Sequence, residues 1–400
     1  MRTNRSGFIN GFVAAILALL FLAGCATHSV PKRDETKVKQ FSGQGYLTDD
    51  QYGINTTLAT WEIGFNRFDI ELTVPGKPGL FPLVIYLPAL GETRAAGAGW
   101  RNAWAKGGYA VVSIQPLSED AVAWSSARAR TGDFSMLARE RYSGKAMMAR
   151  VEALRGALME MIRRHDAADA PFDRMDLSRV TIAGYDLGAY TAMAIAGERI
   201  RGMNLASLPL KISAVIAISP YADFSGAAFT ERYTAINLPV LSITSDNDTD
   251  SLGMVVSPTL RKAPFEYMPS GQKYLLMMSG IPHSSLSGSE TRQDAEDTGT
   301  TEHAAPNSSR PQDGERSGGH HKGGNRGGGS NSNKPGGHDA KEFPGARQFS
   351  PTIEAMGISA IQGVTTAFLD AYVKNDPIAL EWLRTDAPRW VRDRGEIKEK

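Results

Sequence analysis

Cysteine is almost absent from this chain of 400 residues, which contains a single one. One cysteine excludes an internal disulfide framework and any zinc site built from several cysteines. An excess of charge of one sign is also lacking, because 44 Lys and Arg face 43 Asp and Glu and the formal net charge is +1. This balance argues against a general binder of polyanions, so no nucleic-acid partner is expected.

Large apolar side chains are missing from one long segment. Residues 289–342 contain no Val, Ile, Leu, Met or aromatic residue, and glycine is concentrated there. Such a segment cannot bury enough surface to offset the entropy of ordering it. Because periodic sequence resumes afterwards, we predict a disordered low-complexity insertion within a domain.

Two functional interpretations of the insertion remain open beside the simpler one, that it is a solvated segment without a specific role. The segment contains four histidines, which could bind a metal, and an Arg-Gly-Gly run at 326–328, which could contact nucleic acid. The histidine spacing is irregular and no cysteine accompanies it, which disfavours a metal. Acidic residues slightly outnumber basic ones in the segment, which disfavours nucleic acid.

The amino-terminal 24 residues are typical of a bacterial export signal. Arg2 and Arg5 precede an apolar run over 12–22, which is shorter than a membrane-spanning helix requires. The run ends in Leu-Ala-Gly-Cys, which resembles a lipobox and implies lipidation of Cys25; a plain secretory signal with a chance cysteine is the alternative. Ala26 follows, and by resemblance to Gram-negative sorting signals this implies an outer-membrane lipoprotein facing the periplasm.

The remaining sequence alternates between predicted strands and helices. Residues 25–40 are polar and predict a tether, and a single domain is expected over 41–288 and 343–392. Alternating or continuous apolar residues predict strands at 65–74, 82–87, 109–114, 180–184, 212–219, 240–244 and 273–278. Helical spacing of apolar residues predicts helices at 145–164, 189–198, 361–372 and 377–383. This order predicts an α/β protein, with a mostly parallel sheet covered by helices on both faces.

The strongest local motif is Gly184-Tyr185-Asp186-Leu187-Gly188. It follows a predicted buried strand and opens a helix, which is the context of a nucleophile elbow. The glycines allow strand and helix backbones to approach closely around a strained central residue. That residue is usually Ser, and here it is Asp186.

An acid and then a histidine should follow such an elbow in chain order. Four of the seven histidines lie in the insertion, His28 lies in the tether and His165 ends a helix, which leaves His283 as the candidate base. The Ser-Asp-Asn-Asp turn offers two acids, and loop spacing favours Asp248 over Asp246.

An oxyanion hole would complete the site. The loop after strand 82–87 and the residue after Asp186 predict the backbone N–H groups of Leu90 and Leu187 as the donors. Glu92, in the same loop, is interpreted as a solvated residue. Neither a cofactor nor a metal is expected.

These motifs resemble the α/β-hydrolase superfamily, and within it the dienelactone hydrolases and platelet-activating-factor acetylhydrolases. The similarity rests on YLPALGET, VTIAGYDLGAYTAMAIAGE, SDND, PHSSLSG and VTTAFLDAYVKNDPIALEWL, and it covers roughly residues 65–288 and 347–390. It implies the α/β-hydrolase fold, with Asp248 and His283 as acid and base. Asp186 replaces the Ser or Cys nucleophile of that branch, and Pro88-Ala89 replaces its His-Gly.

Aspartate nucleophiles occur on this fold in haloalkane dehalogenases and epoxide hydrolases, where the carboxylate attacks an sp³ carbon and a histidine then activates water. The halide-binding Trp that often follows is replaced by Leu187, and no lid is evident. Asp186 could instead act as a general base on water. We expect a membrane-anchored hydrolase of a small or lipophilic substrate, either an ester or an epoxide or carbon–halogen compound.

A catalytically silent protein is the alternative expectation. Two carboxylates beside one imidazole should raise the pKa of His283, and the resulting imidazolium cannot act as a base. The chain would then be a hydrolase-fold lipoprotein that binds a ligand or an envelope partner. The oligomeric state does not follow from the sequence.

Overall fold

The computed structural model describes residues 32–48, 51–224, 227–250, 252–289 and 350–400. The predicted signal over 1–24, the lipidation site Cys25 and the predicted insertion beyond Ser289 lie outside the described residues. The described stretches on either side of that insertion belong to one compact unit. Among the residues that the structure describes, no helix combines the length and apolar character that crossing a bilayer requires.

Nine strands form one sheet in the order β1-β2-β4-β3-β5-β6-β7-β8-β9. The six strands from β4 to β8 in this order run parallel, whereas β1, β2 and β9 join the sheet through antiparallel pairs. The strands are β1 Ile54–Ile63, β2 Asn66–Pro75, β3 Phe81–Leu87, β4 Ala110–Ile114, β5 Met175–Tyr185, β6 Ile212–Ile218, β7 Val240–Ser245, β8 Lys273–Met278 and β9 Gly395–Glu399. The predicted α/β class with a mostly parallel sheet is confirmed.

Helices cover both faces of the sheet. They are α1 Glu35–Ser42, α2 Ala98–Lys106, α3 Ser118–Ala121, α4 Ala127–Arg130, α5 Phe134–Arg141, α6 Gly144–Asp166, α7 Leu187–Ala196, α8 Phe229–Arg232, α9 Ala263–Tyr267, α10 Pro351–Val373, α11 Pro377–Thr385 and α12 Ala387–Val391. Short 3₁₀ turns lie at Ala123–Ser125, Phe172–Arg174, Pro258–Lys262 and His283–Ser287.

Side chains alternate along each central strand between the two faces of the sheet, and each face has its own hydrophobic core. In β3, Leu83, Ile85 and Leu87 enter the core that contains α6 and α7, and Val84 and Tyr86 enter the core that contains α2 and α10. The central strands are buried on both faces, which explains their continuous apolar sequences.

All seven predicted strands are confirmed to within a few residues, but the sequence analysis missed the edge strands β1 and β9. In β1 Trp61 is the one buried side chain, and β9 has none, so neither strand carries the apolar run that marks the central strands. Strand β9 pairs with β8, and Lys400 bonds to Lys273 beyond it. The domain therefore extends to residue 400 and does not end at the predicted 392.

The predicted tether over residues 25–40 overlaps helix α1. Asp34 caps this helix by accepting a hydrogen bond from the N–H of Lys37. Phe41 is buried and stacks on Trp390 with ring centroids 4.9 Å apart, and the Trp390 indole donates to the Phe41 carbonyl. Residues 35–40 therefore belong to the folded domain, because this helix packs against α10 and α12.

Candidate active site

Asp186 occupies the turn between β5 and α7, and its backbone is strained. Its φ of 50° and ψ of −107° lie outside the regions that L-residues favour, at a cost of about 1–3 kcal/mol. A Cβ at Gly188 would lie 1.9 Å from the carbonyl oxygen of Leu87 at the end of β3. A Cβ at Gly184 would lie 2.3 Å from the carbonyl carbon of Gly188. Both glycines are therefore required by close backbone contact, as the motif predicted.

Two side chains that the sequence analysis missed contact Asp186. The Tyr142 hydroxyl donates to Oδ2 at 2.5 Å, and Nη1 of Arg261 lies 4.0 Å from Oδ1. The Asp186 side chain is 13% exposed, so these contacts form where water only partly screens charge. The Asp186 carboxylate therefore has a hydroxyl donor on one oxygen and a guanidinium near the other.

His283 and Asp248 form a hydrogen-bonded pair. The His283 Nδ1 and Asp248 Oδ1 atoms lie 2.6 Å apart, and Asp248 is fully buried. The Thr244 hydroxyl donates to the other carboxylate oxygen at 2.7 Å. The Ser219 hydroxyl donates to Asp248 Oδ1 at 2.9 Å and lies 3.1 Å from His283 Nδ1. Asp248 is thus held on both oxygens, and it fixes the orientation of the imidazole.

Asp246, the other acid of the same turn, has a different environment. Its Oδ1 accepts a hydrogen bond from the Gly280 N–H at 2.6 Å, which ties the turn after β7 to the turn after β8. The structure therefore pairs Asp248 with His283, as loop spacing favoured. Asp246 instead binds a backbone N–H of the neighbouring loop.

Arg261 connects the two carboxylates. It is fully buried in the turn Pro258–Lys262, and its Nε lies 3.1 Å from Asp248 Oδ1. Its Nη1 donates to the Ser219 carbonyl at 2.9 Å. Two aspartates therefore face one imidazole and one guanidinium, and the four charges balance when His283 is protonated.

The pKa values of the pair follow from these contacts. Burial lowers the pKa of His283, but the hydrogen bond to Asp248 and the charge of Asp186 outweigh it, so that the pKa of His283 is raised. Burial raises the pKa of Asp248, but the hydrogen bond to His283 and the charge of Arg261 outweigh it, and the pKa of Asp248 is lowered. Both shifts favour the ion pair, as the two flanking carboxylates predicted.

The predicted oxyanion donors, the N–H groups of Leu90 and Leu187, follow two strands that are neighbours in the sheet. Strands β3 and β5 pair side by side up to Leu87 and Gly184, so the loop carrying Leu90 and the turn carrying Leu187 leave the same edge of the sheet. Within the described part of the chain, neither of these two backbone N–H groups donates to a protein acceptor.

Glu92 differs from the solvated loop residue expected from the sequence. Its Oε2 accepts a hydrogen bond from the Ala89 N–H at 3.0 Å. The Gly91 N–H donates to the Asp120 carbonyl at 2.8 Å, and Asp120 is ion-paired with the buried Arg150. These contacts fix the backbone of the loop on both sides of Leu90.

A buried network lies beside Tyr190 and Tyr221, two tyrosines that pack on Tyr142. Arg232 pairs with Glu198 at 2.6 Å, and the guanidinium lies over the rings of Tyr190 and Tyr221. Burial raises the pKa of Glu198 to about 7, although Arg232 opposes this shift.

Neither a protein-family model nor a curated protein matches this chain. In the described ranges, no group of three or more His, Cys, Asp or Glu side chains is arranged to hold a metal ion.

We predict that replacing Asp248 with Asn lowers the pKa of His283, because the mutation removes the charged acceptor. Asp186→Asn should lower the same pKa by less, since Asp186 acts through its charge without a hydrogen bond. NMR titration of the imidazole measures both shifts, with His283→Gln for assignment and the distant His165 as an internal reference. An unchanged pKa in both variants would contradict this electrostatic account.

Glu198 should make stability depend on pH. Between the ordinary glutamate pKa of about 4.3 and the folded value of about 7, the folded protein binds a proton that the unfolded chain has released. The free energy of unfolding should therefore fall as pH rises through this window. Urea unfolding of Glu198→Gln should lose this decline, and the exposed Glu381→Gln should keep it. If the free energy of unfolding depends on pH in the same way in Glu198→Gln and in wild type, another group is responsible for the dependence.

Proposed function

We propose that this protein is a hydrolase of the α/β-hydrolase fold that acts on a small or lipophilic substrate. The observation that carries the proposal is the strained Asp186 turn at the same sheet edge as the His283–Asp248 pair. Along the chain the nucleophile position Asp186 comes first, the acid Asp248 second and His283 last, which is the order of that fold. The loop after β3 supplies the second N–H donor, which also fits the fold.

Asp186 is the proposed nucleophile. Its carboxylate attacks an electrophilic sp³ carbon and forms an ester. In a carbon–halogen compound the halide leaves as an anion, and in an epoxide the ring oxygen stays on the product and takes a proton from solvent. His283 then accepts a proton from water, and the hydroxide attacks the ester carbonyl. The oxyanion that forms is stabilised by the N–H groups of Leu90 and Leu187. Breakdown of the intermediate transfers the proton of its hydroxyl group to the departing oxygen, which releases the alcohol and restores the Asp186 carboxylate. His283 then returns its proton to solvent.

An ordinary carboxylic ester is the second substrate class. Attack by Asp186 on such an ester would produce a reactive anhydride, so Asp186 acts in that case as a general base on water. The contact with Arg261 is compatible with either role, because the guanidinium lies 4.0 Å from Asp186 Oδ1 and leaves the carboxylate free to face a substrate or a water.

A catalytically silent ligand-binding or envelope interaction protein is the competing function. It is favoured by the raised pKa of His283, because the imidazolium form cannot accept a proton from water. It is also favoured by the 2.5 Å hydrogen bond from Tyr142, which occupies one oxygen of Asp186.

Turnover of ester, epoxide and haloalkane panels by the mature protein distinguishes these functions. We expect activity to rise with pH through the raised pKa of His283, since the neutral imidazole is the base. Asp186→Asn should reduce kcat by about a thousandfold or more. Asp246→Asn is the matched control and should retain activity, because asparagine can still accept the hydrogen bond from Gly280.

The covalent step has its own signature. His283→Gln should accumulate an alkyl ester on Asp186, detectable as a mass increase of the protein, because ester formation does not need the base and hydrolysis does. With wild type in ¹⁸O water, label should enter Asp186 over repeated cycles. Turnover without label would assign Asp186 as a general base, and no turnover across all panels would favour the silent protein.

We further propose that Cys25 is lipidated and anchors the protein in the bacterial cell envelope, at the outer membrane facing the periplasm. Several acyl chains would bind firmly, since each buried methylene contributes about 0.8 kcal/mol. Metabolic labelling with a palmitate analogue should mark the wild type, and Cys25→Ser should lose both the label and the membrane fraction. Label that persists in Cys25→Ser would contradict a lipobox at this position.

A further inference from the structure

A surface pocket of about 570 Å³ opens beside Tyr142, the tyrosine that donates to Asp186. Three tyrosines, Tyr142, Tyr190 and Tyr221, contribute to its lining. Their rings pack on one another, with centroids 4.8 Å apart for the two pairs that include Tyr221. The rings of Tyr142 and Tyr190 are nearly parallel, with an interplanar angle of 10°. The three side chains are only 5–6% exposed, so small parts of their rings reach the pocket. The half-buried Ile200, Met203 and Met254 complete an apolar, partly aromatic wall.

The charged groups around this pocket are mainly arginines. Arg139, Arg199 and Arg201 are exposed and line it, and within the described part of the chain none of them has a carboxylate partner. Buried Arg232 also lines it. The acid among the lining residues is Asp223, and Arg232 binds its carboxylate at 2.9 Å. Three guanidinium charges therefore remain for a ligand.

The two features together define a ligand chemistry. A guanidinium binds a carboxylate or sulfonate through a planar fork of donors, and flat apolar groups pack on tyrosine rings. A pocket with these arginines and an apolar, partly aromatic wall thus suits a small molecule with a negative group and a flat apolar body. A neutral molecule would pack on the apolar wall but form no ion pair with the arginines. An inorganic anion would bind the arginines but make no apolar contact.

We propose that this pocket is a binding site for small aromatic anions. The site goes beyond the proposed hydrolase function, because binding there needs no reaction at Asp186. Tyr142 belongs to both sites, since its ring lines the pocket and its hydroxyl donates to Asp186.

Isothermal titration calorimetry with ligands that contain no hydrolysable ester tests the proposal independently of turnover. We expect 2-naphthoate and 2-naphthalenesulfonate to bind the mature wild-type protein at least about tenfold more tightly than neutral 2-naphthamide or inorganic phosphate. Affinity for the two organic anions should fall as sodium chloride is added. Equal affinity for naphthoate and naphthamide, or no binding of either organic anion, would overturn the proposal.

The variants assign the binding to this pocket. Combined Arg199→Gln and Arg201→Gln should weaken naphthoate binding by about tenfold or more, with an unchanged Tm because both side chains are exposed. Combined Arg389→Gln and Arg392→Gln, which remove two exposed arginines from outside the pocket, should leave binding unchanged. If both double variants bind naphthoate as wild type does, the pocket is not the site.

Discussion

The close approach of three backbone segments determines the arrangement of the whole site. Gly188 lies against the carbonyl group of Leu87, and Gly184 lies against Gly188, so β3, β5 and α7 meet without side chains between them. This contact holds Asp186 in a conformation that an isolated chain would rarely adopt. The packed sheet on both sides compensates the strain, because β3 and β5 are buried central strands. A strained residue that persists in this way is typical of a functional position.

Charge balance explains how two aspartates can lie near one histidine. Asp186 and Asp248 alone would repel each other in a poorly solvated site. Arg261 lies near both, and hydrogen bonds to the carbonyl groups of Ser219 and Asp248 also hold it in place. The same guanidinium opposes the protonation of His283, which limits the rise in its pKa. The resting state of the imidazole is therefore set by three neighbouring charges together.

Much of this arrangement could be predicted from the sequence. The central strands and the Asp186 turn are marked by apolar runs and by glycine spacing, and loop order led to His283 and Asp248. Tyr142 and Arg261 could not be found in this way, because each reaches the site from a short irregular segment with no periodic pattern. Strands β1 and β9 were missed since edge strands are half solvated and need no apolar run. A polar side chain that contacts a site far away in the sequence produces no local sequence pattern from which the contact could be predicted.

The start of helix α1 limits the distance between the folded domain and Cys25. Its cap at Asp34 leaves nine peptide units between Cys25 and the first residue fixed on the domain. Fully extended, such a length spans about 30 Å. If Cys25 carries the proposed acyl chains, this length sets an upper limit of about 30 Å on the distance between Asp34 and the bilayer surface.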